Sequence, residues 1–339
     1  MRCADVNRLL LRWIPFGVLF FFVIVGAAQE VARPPRIGLV GVTPGTFAER
    51  KLASPSLQAF LVGMRDHGYV EGRDYVIEYR TTEGNPERFA DLTAELAKLP
   101  VDLFLVPVCG APLNAARQAT KTIPIVVAAC NDDLVETRMV ESLRRPGGNI
   151  TGLSKLTPEL AAKRLSLLKE TLPNISSVAV LWNPGYADFT ADWRELKAAA
   201  QRMGIRLHSF EFRRRDELEP AFEAMRSERT EALITFSDQL TNIYAGQVAA
   251  LAAAARLPGM YAFREIPDAG GLMSYGPNIN DMFHQSADYV VRILKGAKPA
   301  DMAIEQPRRI ELVINLKTAK ALNIVIPPAV LLQADDRIE

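Results

Sequence analysis

Leu103-Phe104-Leu105-Val106-Pro107-Val108-Cys109-Gly110, then a short Ala-rich stretch, then Thr122-Ile123-Pro124-Ile125-Val126-Val127-Ala128-Ala129-Cys130: this passage decides the fold. Two apolar, β-branched runs bounded by Pro or Gly flank a segment of helical spacing, which reads as strand, helix and parallel strand. Working outward, the same unit surrounds it on both sides. Strands are expected at Ile37–Val42, Tyr75–Tyr79, Leu103–Val108, Ile125–Ala129 and Ile150–Leu153. The order then repeats at Val178–Trp182, Ile205–Phe210, Ala232–Phe236, Met260–Phe263 and Leu272–Tyr275, with Arg256-Leu257-Pro258 announcing the fourth strand as Thr122-Ile123-Pro124 does in the first half. Helices are bracketed accordingly: Asn85-Pro86 opens Glu87–Leu99 before Pro100, Pro158 opens Glu159–Leu172 before Pro173, and Gly68 and Gly204 end equivalent helices.

The fold class is therefore α/β, with two doubly wound parallel-sheet lobes. After Tyr275 come one more amphipathic helix, Asp281–Lys295, a break at Gly296-Ala297-Lys298-Pro299, a strand at Ile310–Asn315 and a short helix at Leu316–Leu322. If the chain crosses between lobes near Ile150, near Leu272 and through Ala303–Pro307, lobe 1 comprises residues 36–152 plus 276–303 and lobe 2 residues 153–275 plus 308–339. Three crossings make a hinge. Doubly wound sheets bind ligands outside the carboxyl ends of their strands, so two such lobes face each other across a cleft suited to capture by closure.

The first 28 residues read differently. Arg2, Arg8 and Arg12 precede the 12-residue apolar run Ile14–Val25, and Gly26-Ala27-Ala28 follow it, the order of a secretory signal. A spanning helix needs about 20 apolar residues, and Pro15 and Gly17 weaken this run further. Cys3 lies before the run, where it cannot accept a lipid after cleavage, so a periplasmic protein without a lipid anchor is expected. Removing residues 1–28 lowers Lys+Arg from 40 to 37 and Asp+Glu from 39 to 38, so the formal charge moves from +1 to −1. That balance offers no footprint for nucleic acid. The run Arg213-Arg214-Arg215 is countered by Glu211, Asp216, Glu217 and Glu219 and reads as a solvated turn.

The sequence lacks the common catalytic signatures. Gly38-Leu39-Val40-Gly41 lacks dinucleotide-loop spacing, and no Gly-Lys-Ser/Thr follows a Gly-rich loop. In Gly271-Leu272-Met273-Ser274-Tyr275-Gly276 the first glycine stands one residue too far from the serine for a nucleophile elbow. His67, His208 and His284 are dispersed, and no metal-ligand spacing is present, so neither cofactor nor metal is expected. Cys109 and Cys130 end neighbouring strands and read either as a disulfide or as two buried thiols.

The strand-end loops supply candidate ligand contacts. Thr43, Gly45, Thr46, Phe47 and Ser54 follow the first strand, with hydroxyls and one aromatic ring. Gly110 and Ala111 open a helix whose free N–H groups suit a carboxylate. Asn131 and Asp132 in one lobe and Ser237 and Asp238 in the other bring acidic groups suited to an ammonium, or serve as helix N-caps. Trp182, Asn183 and Tyr186, with Tyr261, Phe263 and Arg264, add aromatic walls and a guanidinium, or close the core. Together they describe a zwitterionic, partly apolar, amino-acid-sized ligand.

Read in order, Gly68-Tyr69-Val70-Glu71-Gly72, Arg145-Pro146-Gly147-Gly148-Asn149-Ile150-Thr151-Gly152, Trp182-Asn183-Pro184, Gly270-Gly271-Leu272-Met273-Ser274-Tyr275-Gly276 and Glu311–Leu322 closely resemble the ABC-transporter substrate-binding protein family that includes tryptophan-binding TrpX-like proteins. The resemblance implies a type I periplasmic-binding-protein fold and delivery of a small-molecule ligand to an ABC permease in the inner membrane; a monomer is expected. Asp132 and Asp238 match positions commonly acidic in the family. The expected function is a periplasmic solute-binding protein, not an enzyme, for an amino-acid-like solute. The alternatives are an exported enzyme using the same cleft, and a ligand-binding partner of a membrane sensor.

Overall fold

Ile37 and Leu39, Leu103 and Leu105, and Val126 and Ala128 alternate along three adjacent strands and bury one face of a sheet, while Val40, Phe104, Val106, Ile125 and Val127 bury the other. Strands apolar on both faces must be covered on both, which is why helices flank them. The computed structural model describes residues 33–155, 158–185 and 189–339, and Pro34–Glu339 form one compact unit. The expected export signal and Tyr186 lie outside the described residues.

The first sheet contains β1 (Arg36–Gly41), β2 (Val76–Thr81), β3 (Leu103–Val108), β4 (Ile125–Cys130) and β5 (Ile150–Ser154), all parallel, in the order β2-β1-β3-β4-β5. The second contains β6 (Ser177–Trp182), β7 (Arg206–Glu211), β8 (Ala232–Thr235), β9 (Gly259–Tyr261), β10 (Met273–Pro277), β11 (Ile310–Asn315) and β12 (Asp336–Ile338). Its order is β7-β6-β8-β9-β10-β11-β12, so the first five strands repeat the winding of the first sheet. This is the duplication visible in the sequence. It departs from a wholly parallel sheet at one place, where β10 and β11 run antiparallel. The three-residue β12 extends the second edge and carries no apolar run by which to read it in advance.

The chain passes from the first sheet to the second after β5. It returns after β10, so that the helix Ile279–Leu294 packs on the helix Pro55–Asp66 and on β4. It then runs beside β5, where Ser154 N–H donates to the Glu305 carbonyl (2.9 Å) and Glu305 N–H to the Gly152 carbonyl (3.2 Å), before entering β11. Two glycines make these passages possible. Gly152 has φ +132°, and a Cβ there would overlap the Val127 carbonyl oxygen; a Cβ on Gly276 would overlap that of Ala262.

Several elements differ in detail from expectation. The segment after β1, expected as an open loop to Ser54, holds the helix Phe47–Ala53, because Thr46 and Glu49 form a reciprocal capping box. The helix expected at Glu87–Leu99 starts as a single 3₁₀ turn, Pro86–Arg88, and continues as Phe89–Ala97. Asn278, whose side chain accepts from Asp281 N–H (3.1 Å), starts the last long helix two residues earlier than expected. Among the described residues no helix is long and apolar enough to cross a membrane.

Candidate ligand-binding site

The carboxyl ends of β1, β3 and β4 in one lobe and the segments after β5, β8 and β9 in the other border a single cavity of about 460 Å³. From the first lobe come Thr43, Arg50, Ser54, Ser56, Tyr79, Phe89, Val108 and Phe283; from the second come Lys155, Asn242, Ile243, Phe263 and Glu265. Its size and its mixture of aromatic rings with a few polar groups suit a small organic molecule.

Lys155 leads the polar groups. It is buried at the start of the crossing after β5, donates from Nζ to the Ser237 carbonyl (3.4 Å) and sits 4.6 Å from the centre of the Phe263 ring. Burial pulls its ammonium down to about 8, against the opposing pull of Asp238, Glu265, Asp132 and Asp192. Glu265 opens the turn Glu265–Asp268, and burial raises its carboxyl above the usual range. Among the described residues, Glu265 Oε2 and Asn242 Oδ1 are buried and make no hydrogen bond.

Of the residues expected at the site, Thr43, Ser54 and Phe263 border the cavity. Ser54 also caps the helix Pro55–Asp66, accepting from Leu57 N–H at 3.3 Å. Ser237 offers its carbonyl to Lys155 beside the cavity. Gly45 has φ +121° and turns the chain into Thr46, whose hydroxyl is spent on the capping box. Phe47 packs against Tyr79, ring centres 5.8 Å apart, and so supports a cavity residue rather than bordering the cavity. Gly110 and Ala111 do begin a helix with free N–H groups, but the protein supplies the anion itself: Gly110 N–H donates to Asp132 Oδ2 at 3.1 Å. Asn131 is half-buried in the loop before Asp132.

Asp238 acts as an N-cap. Its Oδ1 accepts from Leu240 and Thr241 N–H (2.7 and 3.1 Å) and its Oδ2 from the Thr241 hydroxyl (2.9 Å), so an incoming ammonium finds most of its lone pairs engaged. Burial nevertheless pushes it up to about 6, despite these bonds and the nearby Lys155 charge. Trp182 and Tyr261 pack into the core, one of the two readings of each, and Arg264 does not border the cavity. Trp182 turns away from the cavity, packs with Phe189, Trp193 and Phe236, and donates to Ser209 Oγ (2.9 Å). Tyr261 is wholly buried under Gly259 and Gly271, where its bulk fills the space that their missing side chains leave. Arg264 points to the sheet edge and pairs with Asp268, Asp336 and Glu311 at 3.2, 2.8 and 3.5 Å. Asn183 is buried, with Oδ1 accepting from Gly185 N–H (2.8 Å).

Cys109 and Cys130 are joined by a disulfide, Cα atoms 4.8 Å apart, tying the ends of β3 and β4 next to the cavity residues Val108 and Ala129. A second groove of about 550 Å³ lies between Val42, Gly84 and Pro86 and the Arg213–Arg215 run, with Val42 bordering both spaces. Those arginines are tied to Glu211, Asp216 and Gln247, as expected of a solvated turn.

Sequence reasoning did not single out Lys155, Glu265, Asn242, Arg50 or Tyr79. Lys155 follows β5 directly, and position alone could have marked it; Arg50, Asn242 and Glu265 lie within or beside segments already read as bordering the cleft, on short helices that the sequence does not announce, and Tyr79 lies on β2.

Two α/β lobes of matching winding, three passages between them and a ligand-sized cavity at the facing strand ends define a type I periplasmic-binding-protein fold, the architecture of solute receptors. The chain matches the family described as ABC transporter substrate binding protein over residues 52–338 and belongs to it. A tyrosine-binding protein of Clostridioides difficile (strain R20291) is 22% identical over 266 residues, covering 78% of this chain and 76% of that protein. Among solved structures, a conserved domain protein from Vibrio cholerae is 28% identical with TM-score 0.78, and an ABC domain in complex with L-Trp from Streptococcus pneumonia is 24% identical with TM-score 0.77. Each covers 90% of this chain and 100% of its own.

Proposed function

We propose that this chain is the exported receptor of an ABC importer, capturing an amino-acid-like solute between its lobes and delivering it to an inner-membrane permease without chemical change. The observation that carries this reading is the cavity itself: loops of both lobes border it, so a ligand there touches both and favours their approach. Aromatic rings beside a buried lysine and a buried carboxyl suit a zwitterion with an apolar side chain, and the relatives named for tyrosine and crystallised with L-Trp make aromatic amino acids the first candidates. The Arg2–Ala28 segment supports export to the periplasm, where the Cys109–Cys130 bond persists and a freely diffusing monomer meets its permease. Lobe 1 is assigned residues 36–152 plus 276–303, lobe 2 residues 153–275 plus 308–339.

The test is a thermal-shift screen of the mature protein, stripped of copurifying solute, against amino acids and small carboxylates. A bound solute at 100 times its Kd stabilises by about 2.7 kcal/mol, a shift easily read. Consumption of a solute that does not shift the melt would replace the receptor reading by an enzymatic one, for which the engaged oxygens of Asp238 offer little support.

A further inference from the structure

We propose that the cleft selects its ligand chiefly by an ammonium group, held on the second-lobe wall by Glu265 and Asn242, with the ligand's carboxylate turned to Arg50 across the cleft. This rests on the solute-receptor reading above and assigns the polarity of its ligand.

Two acceptors border one cavity from separate elements, Glu265 from the turn after β9 and Asn242 from the helix Gln239–Ile243. Glu265 Oε2 and Asn242 Oδ1 are sealed from water and unbonded among the described residues. Buried acceptors in folded proteins are nearly always satisfied, and leaving one without a donor is costly. Both residues border the cavity while these oxygens lie just behind its surface, so a donor that enters satisfies them once a side chain turns. The terminal torsion of glutamate is broad, so a small rotation turns either carboxyl oxygen towards an N–H placed in the cavity.

Charge supports the same polarity. Lys155, the cation that borders the cavity from this wall among the described residues, donates to the Ser237 carbonyl and sits against the Phe263 ring. Glu265 borders the cavity on this side and Asp238 lies close by, both near enough to raise the pKa of Lys155. A carboxylate placed there would meet repulsion, and an ammonium attraction. On the opposite side Arg50 borders the cavity, and its guanidinium makes no hydrogen bond or ion pair among the described residues. Arg50 is half-buried and partly hydrated, so its contact with a carboxylate contributes less than the sealed acceptors do.

The assignment ranks ligands that differ in one group. Isothermal titration of the purified protein would compare L-tyrosine with tyramine and 3-(4-hydroxyphenyl)propionate, and L-tryptophan with tryptamine and indole-3-propionate. In the series that binds, the amine stays within about tenfold of the amino acid, while the acid falls by roughly 10- to 100-fold, the range for losing a charged hydrogen bond at a buried acceptor. Glu265→Gln keeps the shape, weakens amino acid and amine by a similar factor, and leaves the acid unchanged. An acid that binds as tightly as the amino acid, or a folded Glu265→Gln protein with undiminished amino-acid affinity, overturns the assignment and leaves the receptor reading intact. Should Glu265→Gln fail to fold, the comparison on the unaltered protein decides. If neither series binds and another solute does, the ammonium assignment and the amino-acid reading fall together.

Discussion

Asp238 and Lys155 carry opposite charges inside the second lobe, and burial moves both pKa values toward neutrality, to about 6 and about 8. Their pH signatures have opposite signs. Asp238 binds its proton more tightly folded than unfolded, so its contribution to stability is present below its unfolded pKa near 3.8 and is lost as pH rises towards 6. Lys155 binds its proton less tightly when folded, so stability recovers as pH rises from about 8 towards 10.5. Each step is worth up to about 3 kcal/mol, since one pKa unit is about 1.4 kcal/mol. Asp238→Asn keeps the capping oxygen and removes the titration. Urea melts should show wild type losing stability relative to this variant between pH 4 and 6; parallel curves would show that Asp238 titrates normally. At this scale the sequence was only partly legible. Asp238 could be placed after a strand, but whether its oxygens face a ligand or its own helix depends on whether the next residues turn, and Thr241 settles that locally. Trp182 stayed open between cleft and core because the face on which a strand-end side chain emerges depends on register, and a one-residue shift reverses it.

Strands were the most legible elements, because a buried parallel strand must be apolar on both faces and short, and Leu103–Val108 and Ile125–Cys130 satisfy both conditions in plain sight. Helix starts were less so: Thr46-Phe47-Ala48-Glu49 is a capping box in a stretch too polar to read as a buried helix, and no residue of Phe47–Ala53 is buried. The glycines at the lobe passages can be tested directly. Gly152→Ala puts a methyl group against the Val127 carbonyl at a positive φ and should cost more than about 3 kcal/mol, or abolish folding, because backbone cannot yield as a side chain can. Gly204→Ala, at φ +66° with open space around it, carries only the left-handed backbone penalty of about 1 kcal/mol. Equal effects in chemical denaturation would show that backbone conformation alone, and not close approach, sets the cost at Gly152.

At the scale of the whole molecule, Pro34–Glu339 form one compact unit, and the core cluster on the first sheet takes in Ala262 and Phe263 from the segment after β9, so the two sheets are coupled through shared packing as well as through the crossings. The Cys109–Cys130 bond lies entirely in the first lobe and spans 21 residues of sequence; opening such a loop costs about 3 kcal/mol in chain entropy. Replacing both cysteines by alanine should therefore lower the first lobe's melting temperature more than the second lobe's, separating the transitions in a calorimetric scan. A solute held by Arg50 on one side and Glu265 on the other binds only when both lobes are folded, so it stabilises whichever lobe would melt first. Adding the solute that the screen identifies should raise the lower transition until it merges with the upper one. A solute that moves one transition and leaves the two apart would be bound by a single lobe, and capture by closure would not describe this protein.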